Sequence, residues 1–243
     1  MHDRSAAALV IGNEILSGKV VDTNAAFLAQ ELRALGVTLR RILVIPDEVD
    51  VIAEAIRASH PAYDLLFTSG GVGPTHDDVT IAGIARGLGC GVVRHPILEQ
   101  KIREFSGDKL NEARLKMAEV PEGAELIFAG DLNFPTIQIR NIVILPGIPE
   151  IFRAKFHAMK TRFASDPYFM RVIYTRAQES TIAEFLNATL AAFPELQLGS
   201  YPKLGDPEYR VRVTLESKNP QYLNRAFEHL LAHLPSDTIV RTE

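Results

Sequence analysis

Two acidic, glycine-rich stretches hold the residues best suited to chemistry. The first is Gly12-Asn13-Glu14-Ile15-Leu16-Ser17-Gly18, continued by Asp22-Thr23-Asn24. The second is Thr68-Ser69-Gly70-Gly71-Val72-Gly73-Pro74-Thr75-His76-Asp77-Asp78. Glycines at 70, 71 and 73 let the backbone approach a ligand closely and turn its N–H groups towards an anion. A helix start just beyond them adds free donors and a positive dipole end, which suits a phosphate. One aspartate at such a start is ordinarily the N-cap, and a second complements the dipole. Two adjacent carboxylates beside a phosphate would repel it unless a cation lies between them. A divalent ion such as Mg²⁺, held by one or two carboxylates plus phosphate oxygens, resolves that conflict. In the first stretch Asp22 or Asn24 reads as a helix cap, while Glu14 is suited to bind metal or to position a water.

A third stretch, Leu145-Pro146-Gly147-Ile148-Pro149-Glu150, reads as a rigid strand-to-helix turn in which Gly147 permits backbone contact with a ligand. Arg114 and Lys116, with Asn111 nearby, are candidate phosphate partners, although by composition alone they form a solvated helix face. Other chemistries lose their support. There is no G-x-x-x-x-G-K-[ST], and Gly71-Val72-Gly73 lacks the third glycine of the dinucleotide fingerprint, so neither a kinase nor a dehydrogenase is indicated. No serine sits in a G-x-S-x-G elbow. His229 and His233 are four apart, but a helix with Leu223, Phe227, Leu230 and Leu234 on its core face turns the pair to solvent. His76 has the chemistry to meet a metal or a water, but its loop position assigns it nothing. Cys90 is the single cysteine; it excludes intramolecular disulfides and Cys-based zinc sites, and reads as a small buried hydrophobe.

These loops need elements to position them. Residues 7–11, 37–45 and 65–68 read as strands, and 23–35, 47–59 and 79–86 as helices, with Asp47 and Asp50 as helix caps. Gly36 ends one helix, and Gly87, Gly89 and Gly91 break the pattern after another. This alternation predicts a mainly parallel sheet with helices on both faces. Residues 96–118 read as two helical pieces split at Gly107-Asp108, and 136–140 with 142–145 as two strands about the Arg140-Asn141 turn. A helix begins at Pro149, with Phe152, Phe156, Met159 and Phe163 along one face. Beyond a boundary at Ser165-Asp166-Pro167, residues 168–243 show a β-α-β-β-α-β order typical of a ferredoxin-like module. Thr181 with Glu184 has capping-box spacing there, and Asn219-Pro220 reads as an N-cap and a first-turn proline.

The 243 residues are 47% apolar and 23% charged, ordinary globular values that argue against disorder. With 26 Lys and Arg against 30 Asp and Glu the net charge is −4, so no basic excess suggests nucleic acid. Asp3-Arg4 before a short apolar stretch is no signal peptide, and no apolar run approaches about 18 residues. A cytoplasmic protein without membrane or nucleic-acid partners is expected.

Together the three stretches, with Val79-Thr80 closing the second, resemble the molybdopterin-binding (MoaB/Mog-like) domain superfamily, and within it the competence/damage-inducible protein A family. Ala113-Arg114-Leu115-Lys116-Met117-Ala118 and the run from Phe134-Pro135 through Arg140-Asn141 look like the N-terminal domain of eukaryotic-type FAD synthases; Glu179-Ser180 and Leu198-Gly199-Ser200-Tyr201-Pro202 extend that likeness. The resemblance implies a three-layer MoaB/Mog-like α/β domain with a mainly parallel sheet (1–167), followed by a small ferredoxin-like α+β domain (168–243). It also implies metal-dependent cleavage of a nucleotide pyrophosphate with release of AMP, from ADP-ribose in the competence-protein branch and from FAD in the synthase-like branch. On this reading Asp78, with Glu14 or Asp22, holds a divalent cation (Mg²⁺, Mn²⁺ or Co²⁺, with potassium an optional addition). Gly70, Gly71 and Gly73 cradle a phosphate beside Ser69 and Thr75. Asn24, Arg114 and Lys116 orient or neutralise phosphate oxygens, Gly147 offers backbone contact, and Asp77 assists Asp78 and Glu14 or caps the helix. Where the competence branch has a G-x-A-P-G turn, this chain has Asp131-Leu132-Asn133-Phe134-Pro135. The amidohydrolase and synthetase domains of longer relatives are not recognisable, so neither deamidation nor FAD synthesis is expected. The competing reading is a non-catalytic protein that binds molybdopterin or a pterin nucleotide. Either way a homo-oligomer is expected.

Overall fold

The computed structural model describes residues 4–130 and 132–243; Asp3 of the leader reading and Asp131 of the substituted turn lie outside the described residues. The chain divides into two compact units, Met1–Ser165 and Asp166–Glu243.

In the first unit β1 (Ser5–Ile11), β2 (Thr38–Ile45), β3 (Leu65–Ser69) and β8 (Ile142–Leu145) run parallel, and β7 (Thr136–Ile139) and β6 (Glu125–Ile127) add antiparallel at one edge, giving the order β2-β1-β3-β8-β7-β6. β3 and β8 are buried along their whole length and β1 from its second residue on, which is why they read as unbroken apolar runs. On one face α2 (Asn24–Ala34) and α7 (Pro149–Met159) pack Leu28, Leu32, Phe152 and Phe156 against Ala6, Ala8, Phe67 and Val143. On the other, α3 (Val49–Ser59) and α4 (Thr80–Leu88) bring Ile52, Ile56 and Ile84 onto Ala7, Leu9, Ile11 and Leu66. The expected three-layer α/β arrangement, a mainly parallel sheet with helices on both faces, is thereby present.

Several local readings change. Gly87 does not break α4 but lies inside it: a Cβ there would meet Ile56 Cβ at 2.8 Å, as one on Gly83 would meet Ile52 Cβ at 2.5 Å, so the two glycines let α3 and α4 approach closely. The end of α4 is set instead by Gly89 at φ 70°. Asp47 and Asp50 do not cap α3, whose N-cap is Glu48; Asp50 pairs with Arg86 at 2.9 Å. Four short elements were not foreseen: α1 (Asn13–Leu16), β4 (Val92–Arg94), β5 (Glu119–Pro121) and β6. Three or four residues are too few to establish a periodicity. α5 (Pro96–Ser106) and α6 (Glu112–Lys116) are separated by a 3₁₀ turn at Gly107–Lys109, and build a satellite core from Leu98, Ile102, Leu115, Ala118 and Val120.

The second unit runs β9 (Phe169–Thr175), α8 (Glu179–Ala192), β10 (Gln197–Pro202), β11 (Val211–Ser217), α9 (Pro220–His233) and β12 (Ile239–Thr242). Its antiparallel sheet has the order β10-β11-β9-β12, the ferredoxin-like arrangement. Ile173, Val211, Val213 and Leu215 form the sheet's contribution to a core closed by Ile182, Leu186, Leu223, Phe227 and Leu230 of the two helices. Asn219 caps α9 by accepting from Tyr222 N–H at 3.0 Å. The Thr181–Glu184 box does not form, because α8 begins at Glu179 and its N-cap is Gln178, three residues before Thr181. Nor do both histidines face solvent: His229 is half-buried, 5.5 Å from the Phe193 ring and 3.3 Å from Thr189 Oγ1.

Candidate functional site

From β1 the chain passes to β2 on one side, then returns across β1 to β3 on the other, so β1 and β3 flank the topological switch point. Loops leaving the carboxyl ends of strands at such a point diverge and leave a crevice between them. Gly12 and Gly70 head those two loops, with Gly147 after β8 beside them. Gly70 has φ 101°, and a Cβ on it would press into the carbonyl oxygen of Ile11. A Cβ on Gly147 would stand 3.3 Å from Gly70 Cα. The glycines are therefore required where three strand ends crowd together, in addition to any role towards a ligand.

Asn24 locks this junction. It is 3% exposed, and its Nδ2 donates to Ser69 Oγ and to the Gly147 carbonyl, both at 2.9 Å. Its Oδ1 is buried without a partner at the wall of a recess of about 90 Å³ that Glu14, Asp22, Ser69, Gly70 and Gly147 also line. Asp22 does not take the N-cap position of α2, which is Thr23, but from one residue earlier it accepts from Asn24 and Ala25 N–H at 3.0 and 3.2 Å. Asn24→Ala removes two hydrogen bonds, one buried and one part-buried, that join three chain segments. It is expected to lower stability by about 2 kcal/mol, read as a shift in the urea midpoint.

The second loop turns back on itself. Asp78 Oδ2 accepts from Thr75 N–H at 2.7 Å and from its hydroxyl at 2.5 Å, while α4 takes Val79 as its N-cap, so neither Asp77 nor Asp78 is a helix cap. The Thr75 hydroxyl is also the main influence holding the exposed Asp77 carboxyl below its ordinary range. The Asp77 backbone N–H follows, and His76 and Lys116 add smaller electrostatic contributions. Lys116 Nζ donates to the Thr75 carbonyl at 2.6 Å. Gly73, Asp78 and Lys116 line a second recess of about 100 Å³. Arg114 lines a third, of about 340 Å³. Between Gly70 and Gly73, the N–H groups of Gly71, Val72 and Gly73 find no acceptor among the described residues.

One site carboxylate reads from the sequence only as a helix cap. Asp47, directly after β2, accepts from Asn13 N–H at 2.7 Å, and its other oxygen lies 3.6 Å from where a Gly71 Cβ would be. It joins the first loop to the second; its place just beyond a parallel strand's carboxyl end was the available signal. Among the described residues, no three His, Cys, Asp or Glu side chains gather closely enough to hold a metal alone. Glu14 and Asp22 share one recess and Asp78 lines another. A closed cage of protein ligands does not fit this arrangement; binding through one or two carboxylates completed by phosphate oxygens does.

Beside the third recess, Lys155 Nζ donates to the carbonyls of Phe134 and Pro135 at 2.9 and 2.6 Å. Burial lowers its pKa to about 8. The unfolded chain keeps that proton to about pH 10.4, so between about pH 8 and 10.4 it binds more protons than the folded chain. Stability from this group is accordingly expected to rise with pH through that window and to be lost as pH falls through about 8. Lys155→Met should flatten the slope in a melting-temperature series against pH.

A mainly parallel sheet covered on both faces, with glycine turns and carboxylates at its switch point, is the α/β class of fold in which a ligand would sit at that crevice. Residues 7–165 match the family described as probable molybdopterin binding domain, and the chain belongs to it; residues 167–243 match the middle domain of FAD synthase. A protein of Archaeoglobus fulgidus is 34% identical over 91% of this chain and 95% of its own length. A probable FAD synthase of Caenorhabditis elegans is 32% identical over 90% of this chain, which spans 47% of that relative. Among solved structures, the protein CinA of Thermoplasma acidophilum, described as of unknown function, is 34% identical with a TM-score of 0.61, covering 66% of this chain and 98% of that one. Among the described residues no helix is long and apolar enough to cross a membrane.

Proposed function

We propose that the chain hydrolyses the pyrophosphate bond of a nucleotide of the FAD or ADP-ribose class, releasing AMP, with a divalent cation. The observation that carries this reading is the run of three free N–H donors at Gly71–Gly73 beside carboxylates that no lysine or arginine neutralises among the described residues, namely Glu14, Asp22, Asp47 and Asp78. Donors alone would suit a bare phosphate; donors with unpaired carboxylates suit a phosphate that arrives with a cation. The likeness to FAD synthases favours a flavin nucleotide, and the resemblance of the loops to the competence/damage-inducible protein A family adds ADP-ribose as the alternative.

In this account the Gly71–Gly73 amides hold one phosphate, and Lys116 neutralises part of its charge. Asp78, oriented by Thr75, would hold the cation together with phosphate oxygens, or Glu14 and Asp22 would do so from their own recess; the cation when bound would neutralise the diphosphate and acidify water. Glu14, exposed and unpaired, is suited to accept the proton of the attacking water. Water adds to one phosphorus, the bridging P–O bond breaks, and two monophosphates leave. A screen of FAD and ADP-ribose against Mg²⁺, Mn²⁺ and Co²⁺, read as AMP by chromatography, is expected to show turnover with at least one pair. The second reading, a molybdopterin-binding module without turnover, rests on the family match; it prevails if no metal yields AMP while molybdopterin binds tightly.

A further inference from the structure

The third recess is unlike the other two. Its walls are Pro74, Ile102, Phe105, Met117 and Phe134, with Ser106 and Arg114 as its polar residues. Phe105 is 74% exposed although it projects from a helix whose core face is already filled by Leu98 and Ile102. It stands edge-to-face with Phe134, ring centres 5.8 Å apart and planes at 84°. Arg114 is half-buried, and its guanidinium has no acceptor among the described residues. Lys155 fixes the Phe134 carbonyl, and so the position of that wall. The recess also continues the phosphate loop: Pro74 follows Gly73, and Met117 lines both this recess and the one holding Asp78 and Lys116.

We infer that this slot binds the flat heteroaromatic ring of the nucleotide whose phosphate lies on Gly71–Gly73, an inference that rests on the reading given above. At about 340 Å³ the slot is within the range of small-ligand pockets. Two perpendicular phenyl rings offer one face and one edge to a third ring, the geometries that aromatic pairs prefer. An unpaired guanidinium lining an apolar slot that Pro74 joins to the phosphate loop can bond a phosphate oxygen or stack on the ring. Phe105 thus becomes a specificity residue; it has no part in bond cleavage.

The test is binding of FMN, AMP and ribose 5-phosphate to the full chain and to Phe105→Ala and Phe105→Trp. Flavin fluorescence reads FMN, and calorimetry reads the other two. Phe105→Ala should weaken FMN or AMP about tenfold, the scale of one lost stacking contact, and change ribose 5-phosphate less than about twofold. Phe105→Trp should restore the ring-bearing ligand. Preference for FMN or for AMP tells a flavin slot from an adenine slot. Because binding is read without turnover, ring binding through Phe105 in a chain that releases no AMP upholds the slot while hydrolysis fails. AMP release with unchanged KM in Phe105→Ala overturns the slot while hydrolysis stands. Equal loss of all three ligands in Phe105→Ala also overturns it.

Discussion

Gly70→Ala is expected to lower stability by at least about 3 kcal/mol and to abolish ligand binding. Two costs add at that position. The residue has φ 101°, a conformation that L side chains rarely adopt, and the new methyl would enter the Ile11 carbonyl, a rigid backbone atom of the neighbouring central strand. Relief requires β1 and β3 to separate at the crevice where the candidate site lies. Gly18→Ala is the internal control. Its φ is 71° but nothing lies within 4 Å of its Cβ position, so strain alone should cost about 1 kcal/mol. Urea denaturation of both variants separates strain from collision; equal destabilisation would contradict the crowded-junction account.

The second large effect concerns Asp78. Asp78→Ala should reduce AMP release by at least about 10²-fold with the chain still folded, because the carboxylate binds only a loop of its own and supports no core contact. Asp78→Asn keeps an acceptor for Thr75 N–H and therefore the loop, but removes the charge. It should lose activity to nearly the same degree, which assigns the effect to the charge. Full turnover in Asp78→Ala would reject the assignment. Asp77→Ala should cost far less, since Asp77 is exposed and lines none of the three recesses.

Much of this was legible in the residues. Strands buried on both faces announce themselves as apolar runs, and 142–145 matches β8 to the residue. In β11 an alternating pattern reads Val211, Val213 and Leu215 inward and Arg212 outward, as observed, but Thr214, which the same pattern turns to solvent, is buried at 3% exposed. Caps were read less well, because several residues compete to satisfy one helix start and tertiary bonds decide among them. Asp47 left the α3 cap to bond Asn13, and Asp78 turned back to Thr75. Convergence was the hardest to see. Glycine spacing marks the Gly70 loop, but nothing local shows that Asn24 bridges Ser69 and Gly147, 45 and 123 residues away. The apolar slot was invisible for the same reason: Phe105 and Phe134 come from separate segments and meet only after folding.

The most direct test is a crystal structure of the chain with Mn²⁺ and a non-hydrolysable analogue of ADP-ribose, using manganese anomalous scattering. The account predicts a manganese peak about 2.1 Å from a carboxylate oxygen of Asp78 and from a phosphate oxygen, with that phosphate on the Gly71–Gly73 amides. A diphosphate bound elsewhere, or an Asp78 that still touches only Thr75 with the nucleotide in place, would contradict it.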